Sequence, residues 1–524
     1  MKLHQARRYL RFLPLILVGA GIFLRLQHYS NNLSFWSDEA WVALDTFRRS
    51  FADILLGRNL YEYYSILPVG LLLIEKASVA VLGERELALR LFPVFCGALS
   101  VVAYAWLLRR YFTRTIALLA LAFFAFSNPL IYYSAQVKQY PSDLLAVLLL
   151  YGCWFSLAQG KSSTKKKVIL SCAGVAALGI SQPALLILGG IGAGQVVADI
   201  DDQEAACRYL PVYIAWSAGF AFFWLVYYRA FFLNPILFYP HLENFLPSPF
   251  SLVGAQEWIA RFLSVFNDPV DLSLGALAAF FFMIGVAALY RKNKRICLQL
   301  VAPLLLTLLA AAVRRYPFSG RFLIFLVPAL LVGIAAGFER LIKAGKVGPL
   351  VAGILLIAVW GRPLAMTLRH TVTPRSTAEM RPLMRYLKEH QRDGDLIYIN
   401  NDAQYGFSYY ARYFKMRSLP RVAGVLLESD YTGRTGVPVM IFEPSRNRYL
   451  KVGGWNKVSP LEEPSDAPQG SLAGAGRTWV LFAQLPPATE RTFLNYLNEG
   501  GTRIGERTCY NASLFLYDLK SSKR

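Results

Sequence analysis

Apolar runs of 16 to 22 residues recur between residues 10 and 360 and then stop. A helix rises 1.5 Å per residue, so runs of that length match a hydrocarbon core of roughly 30 Å. This pattern demands a bundle of membrane-spanning helices, because lipid leaves no partner for an open backbone. Composition agrees: 55% of residues are hydrophobic and 17% charged, against about 25% charged in an average soluble domain. The expected fold is mainly α. Residues 1–365 form a polytopic membrane domain, and residues 366–524 form a small α/β domain.

The net charge is +22, and residues 1–364 hold 33 basic against 18 acidic side chains. A basic excess in the loops of a membrane protein suits anionic lipid headgroups. No basic motif interleaved with aromatics points to nucleic acid, so none is expected as a partner. Basic clusters fall at 2–11, 109–114, 161–167, 291–295 and 340–346. The positive-inside rule assigns all five to the cytoplasmic face. That parity requires one apolar stretch not to cross. The stretch 66–82 carries Glu75 and Lys76 at its middle, and a charge at the bilayer centre costs about 2.5–3.5 kcal/mol. It is expected to lie along the outer interface with its charges facing water. About eleven crossings then remain, at 12–27, 87–108, 115–133, 143–158, 168–180, 183–198, 209–231, 272–290, 297–313, 322–339 and 347–363. Residues 366–524 end up outside. The N-terminus has the make-up of a signal peptide but no small-residue cleavage site, and reads as a retained first helix. The six cysteines show no CxxC or Cys/His spacing suited to a metal.

The outward segments gather unusual residues. The first holds Trp36, Asp38, Glu39 and Trp41; the second runs Ser134-Ala135-Gln136-Val137-Lys138-Gln139-Tyr140-Pro141-Ser142-Asp143. The third is Arg314-Arg315-Tyr316-Pro317-Phe318-Ser319-Gly320-Arg321, and the fourth, 232–270, includes His241. Taken singly, Asp38 and Glu39 are a helix cap and a first-turn acid, and the cations are interfacial anchors. Three outward arginines nevertheless oppose the positive-inside bias. An anionic lipid headgroup would account for them, since arginine binds phosphate oxygens bidentately.

An Asp-Glu pair after the first helix, the loop SAQVKQYPSD and an outward RRYPFSGR before a late helix resemble the GT-C glycosyltransferases. Within these the pattern is similar to glycosyltransferase family 39, the protein O-mannosyltransferases and lipid A aminoarabinose transferases. The resemblance covers residues 1 to about 365. It implies transfer of a sugar from a polyprenyl-phosphate donor to an acceptor hydroxyl on a glycan, lipid or protein, at the extracytoplasmic side of a bacterial inner membrane. Asp38 matches the general base, and Glu39 the neighbouring acid that orients a substrate. Some relatives have an acid in the second outer loop where this chain has Lys138, with Asp143 the nearest carboxylate. Lys138, Arg315 and Arg321 would then hold the donor phosphate, with a divalent cation as the alternative counter-charge. Trp36, Trp41, Tyr140, Asp143 and His241 are the candidates for sugar or acceptor contacts.

The residue types suit that chemistry. A phosphate leaving group needs cations for its developing charge, and a hydroxyl nucleophile needs a carboxylate base. One base and one displacement give inversion at the anomeric carbon. A non-enzymatic transporter or flippase of lipid-linked sugars is the rival reading, but the chain shows neither internal repeats nor midplane acid series. In residues 366–524, AEMRPLMRYLKEH and TERTFLNYLNEG read as helices. LIYIN, TWVLFAQ and ASLFLYDL read as strands, and 453–476 as a loop.

Overall fold

The computed structural model describes residues 12–58, 67–157, 163–202, 204, 207–229, 245–247, 252–416, 421–424, 439–443, 448–453, 457–460 and 476–519. Each expected span is helical over most of its described residues. The described residues open with α1 (Leu13–Ser30), α2 (Ser37–Arg48), α3 (Phe51–Leu55), α4 (Val69–Leu82) and α5 (Glu86–Tyr111). It continues through α6 (Arg114–Ala125), α7 (Asn128–Ser134), α8 (Tyr140–Leu157), α9 (Thr164–Ile180), α10 (Ala184–Ala198) and α11 (Leu210–Phe223). After α12 (Leu252–Ser264) come α13 (Gly275–Lys292), α14 (Lys294–Ala312), a 3-10 turn at Gly320–Leu326, α15 (Val327–Ile342) and α16 (Gly348–Val372). Among the described residues, seven helices are long and apolar enough to cross a membrane, or eight if α6 and α7, bent by 53°, form one span.

Local signals set the helix ends. Pro14, Pro129, Pro211 and Pro328 sit in first turns, where a missing N–H costs nothing. Thr113, Ser163 and Asn293 accept hydrogen bonds from the opening turns of α6, α9 and α14. The membrane core is built around α15, in which every residue from 327 to 338 is buried. It meets α13 backbone to backbone: a Cβ on Gly285 would overlap the Gly333 carbonyl, and one on Gly337 the Phe281 carbonyl. Small residues permit this approach where lipid offers no hydrophobic drive.

The 14-residue α4 is not among the helices long enough to cross, but its charges do not face water as expected. Glu75 is 1% exposed with neither carboxylate oxygen hydrogen-bonded. Lys76 donates to the carbonyls of Thr46 (3.1 Å) and Phe47 (3.2 Å), closing the C-terminal end of α2. Packing of α4 onto α2 and α5 turns the charged turn inward.

The C-terminal domain adds α17 (Arg381–His390), α18 (Gln404–Tyr413) and α19 (Pro487–Gly500) to strands β1 (Leu396–Ile399) through β8 (Ala512–Leu519). A five-stranded sheet has the order β2-β1-β6-β8-β7, with β2 at Arg421–Gly424, β6 at Gly476–Ala483 and β7 at Thr502–Cys509. Strand β1 runs parallel to β2 and β6, and β8 antiparallel to β6 and β7. The segment 453–476 is not all loop, since Lys457–Pro460 forms a strand in a separate three-stranded sheet. One hydrophobic core joins α2 and α4 to α17, α18, β1 and β6. The C-terminal domain therefore packs on α2 and α4.

Candidate active site

Helix α2 begins after an extended residue, Trp36, which is its N-cap. Asp38 is thus in the first turn, not at the cap, where the helix dipole favours an anion. Its side chain does no capping. Instead Oδ2 receives Arg321 Nη1 at 2.9 Å and Lys138 Nζ at 3.5 Å. Lys138 comes from the loop between α7 and α8, and Arg321 from the 3-10 turn that opens the central helix α15. Three segments far apart in sequence thereby meet on one oxygen atom. The side chains keep 26%, 15% and 25% exposure for Asp38, Lys138 and Arg321, so a ligand has access.

Burial raises the Asp38 carboxyl, but Lys138 and Arg321 outweigh it and hold the group below the usual carboxylate range. Burial brings Lys138 below the usual lysine value; Asp38 opposes that shift and Arg321 adds to it. Arg321 is cradled by rings, its guanidinium carbon lying 5.4 Å from the Trp36 centroid, 5.5 Å from Phe322 and 6.0 Å from Tyr140. Such faces attract a cation and fix its direction. Tyr140 is buried and packs edge-on against Tyr133 at 5.0 Å, so it is a wall of the site rather than an open platform. Around the cluster, Trp36 Nε1, Gln136 Oε1 and Gln139 Oε1 are buried without a hydrogen-bond partner. Orphaned polar atoms of this kind carry a cost unless a ligand meets them.

Glu39 has a different setting. It is 1% exposed, and Arg90 donates Nε to Oε1 at 2.9 Å and Nη2 to Oε2 at 2.6 Å. The backbone N–H of Val137 also donates to Oε1 at 2.9 Å. One carboxylate therefore links the start of α2 to the residue before Lys138. Arg90 donates further to the carbonyls of Leu33 (2.5 Å) and Ser34 (3.3 Å). From the C-terminal domain, Glu379 accepts from Ser34 Oγ at 2.6 Å, and Arg381 donates to the Asn32 carbonyl at 2.8 Å. Tyr410 Oη accepts from the Phe35 N–H at 2.8 Å and donates to Glu86 at 3.0 Å. The loop that delivers Asp38 is held from both domains.

Other expected site residues are placed elsewhere. Arg315 is exposed and makes no ion pair among the described residues; its N–H bonds the Ala310 carbonyl in the turn after α14. Trp41 stacks on Tyr405 of the C-terminal domain at 5.0 Å and 19°, which covers one of its faces. Asp143 is buried one turn into α8, with Oδ1 unpaired. His241 lies outside the described residues. Among those residues no group of three or more His, Cys, Asp or Glu is arranged to hold a metal. Sequence reasoning missed Arg90, Arg381, Tyr410 and also Asp402, whose carboxyl is raised by burial and then by the charge of Asp38. An arginine inside the apolar stretch 87–108 was the available signal, because such a charge needs an internal partner.

The fold has counterparts. Residues 68–196 match the family model described as dolichyl-phosphate-mannose-protein mannosyltransferase. The apo ArnT of Cupriavidus metallidurans is similar over 98% of this chain and 98% of its own, with a TM-score of 0.54 at 12% identity. The same enzyme bound to undecaprenyl phosphate gives 0.53 at 12% identity, over 96% of this chain and 97% of that one. The chain has the fold of the GT-C membrane glycosyltransferases. The oligosaccharyltransferase of Archaeoglobus fulgidus, in complex with zinc and sulfate, shares the GT-C fold at a TM-score of 0.51 and 12% identity, over 93% of this chain and 80% of its own. No curated protein sequence matches. The protein is thus an integral membrane protein whose GT-C fold carries Asp38 in the first turn of α2, after the loop that follows α1.

Proposed function

We propose that the protein transfers one sugar from a polyprenyl-phosphate donor to an acceptor hydroxyl on a glycan, lipid or protein. The reaction takes place at the extracytoplasmic face of a bacterial inner membrane and inverts the anomeric centre. The observation that carries the reading is the single Asp38 oxygen shared by Lys138 and Arg321. A base and two cations within one carboxylate's reach are the parts that a displacement with a phosphate leaving group requires. A solved ArnT of the same fold holds undecaprenyl phosphate, which supports a lipid phosphate as the donor's leaving group.

Asp38 is ion-paired with Lys138 and Arg321. An arriving donor phosphate competes with Asp38 for Lys138 and Arg321, and takes both cations. Asp38, released from its partners, rises back toward an ordinary carboxylate pKa and gains basicity. It accepts the acceptor's hydroxyl proton as that oxygen attacks the anomeric carbon. The bond from carbon to phosphate oxygen breaks, and its electron pair stays on the polyprenyl phosphate, held by Lys138 and Arg321. Glu39 stays paired with Arg90 and keeps the two loops in register; it touches neither substrate. Donor binding and activation of the base are one event.

The test is release of polyprenyl phosphate by the purified protein from radiolabelled polyprenyl-phosphate mannose, glucose and 4-aminoarabinose, with membrane extracts as acceptor. Transfer from one of these by the wild type is expected, slowed by about 10²–10⁴-fold in Asp38→Asn. Sugar movement between leaflets without cleavage of the phosphate ester would favour a flippase and overturn the reading.

A further inference from the structure

Helix α8 carries Tyr140 at the Asp38 site and Trp154 about 21 Å farther along its axis. At that far end of the bundle lies a cavity of about 470 Å³, lined by the ends of α8 and α10 and the first turns of α14. This volume falls within the roughly 300–1,000 Å³ of small-molecule sites. No step of the sugar transfer uses it.

Its walls are built around a chain of hydrogen bonds. Arg295 Nη2 donates to Asp199 Oδ1 at 2.5 Å, Gln195 Nε2 donates to Asp199 Oδ2 at 2.5 Å, and Gln299 Nε2 donates to Gln195 Oε1 at 2.6 Å. Gln195 and Gln299 are each 2% exposed. The chain fixes Arg295 while leaving its Nε and Nη1 donors without a protein partner among the described residues. Lys294, beside it in the first turn of α14, is exposed and makes no ion pair among the described residues. Lys294 and Arg295 line the cavity, Asp199 pairs with Arg295 behind it, and the N-terminus of a 19-residue helix adds its positive end. Trp154 and Phe155 supply an apolar wall, and Val196, Val197 and Ile200 are exposed at the end of α10 beside it.

We propose that this cavity binds a phosphate ester, namely the headgroup of an anionic membrane lipid whose acyl chains lie along the exposed end of α10. The oxygens of a phosphodiester match the open guanidinium donors of Arg295 and the ammonium of Lys294. The apolar surface at the mouth favours a lipid over a water-soluble ester.

Native mass spectrometry of the full chain in detergent tests this with phosphatidylglycerol, phosphatidylcholine and glycerol 3-phosphate as probes. Phosphatidylglycerol is expected to bind in preference to phosphatidylcholine. Lys294→Gln and Arg295→Gln should each weaken it by about tenfold or more. Arg295→Gln also leaves Asp199 without its ion-pair partner, so Lys294→Gln, which breaks no internal pair, separates binding from folding. Arg340→Gln removes an exposed charge at the same end of the bundle and should bind as the wild type does. Unchanged affinity in both cavity variants, or an equal loss in Arg340→Gln, would overturn the site. Binding of glycerol 3-phosphate without the lipid would overturn the lipid source.

Discussion

Replacing Asp38 by asparagine should move binding and catalysis in opposite directions. The amide keeps the carboxylate's shape but neither accepts a proton nor pairs with Lys138 and Arg321. A partly exposed ion pair contributes about 0.2–1 kcal/mol after screening. Two such pairs released in advance should tighten binding of undecaprenyl phosphate by about 0.4–2 kcal/mol, or roughly two- to thirtyfold. Loss of the positioned base should slow transfer by about 10²–10⁴-fold. Binding can be followed by tryptophan fluorescence, since Trp36 lies 5.4 Å from Arg321, and turnover by release of polyprenyl phosphate from labelled donor. Wild-type turnover would refute Asp38 as the base. Weaker binding of the lipid phosphate would refute the exchange of partners even if turnover falls.

Lys138→Ala should cost about 1.5–3 kcal/mol, seen as a raised donor KM or lowered kcat with acceptor preference unchanged; Arg315→Ala, at an exposed turn, should match the wild type in the same assay. Arg90→Gln leaves Glu39 buried and uncompensated, so calorimetry in detergent should show a loss of about 3–5 kcal/mol; an unchanged Tm would contradict the clamp. The lowered Asp38 pKa contributes stability that is complete above its unfolded value near pH 4 and lost as pH falls through the folded value. Thermal scans between about pH 5 and pH 3 should therefore fall more steeply for the wild type than for Asp38→Asn, and parallel curves would remove the ion pairs from the stability account.

The spans were legible because apolar length is a local property, read one helix at a time. The meeting of Lys138 and Arg321 was legible only through topology, which put both loops on one face; that they converge on Asp38 depends on how α2 and α15 pack. Arg90 escaped because its partner Glu39 lies 51 residues earlier, and the run around it reads as an ordinary span. Strand β7 escaped for the opposite reason. Its residues are nearly all exposed, so no alternation marks it, and only pairing with β8 makes it a strand. Helix α18, QYGFSYYARY, has no clear apolar stripe in sequence, and its order comes from packing on α2. Glu75 was misjudged because insertion cost was weighed against lipid and water alone, whereas the α2–α4–α5 interface provides a third environment.

These long-range contacts bear on what the C-terminal domain does. Ser34 and Phe35 precede the helix that carries Asp38, and both bond side chains of that domain, Glu379 and Tyr410. Arg381 reaches Glu86 on α5 at 3.0 Å, one turn from Arg90, which grips the same loop from the membrane side. Trp36 closes the loop and also supplies a face for Arg321. A shift of the domain would thus act on both partners of the Asp38–Arg321 pair, on the carboxylate through its helix start and on the guanidinium through its aromatic cradle. The domain is part of the geometry of the site, and an acceptor that displaced it would change the donor cations as well as the base.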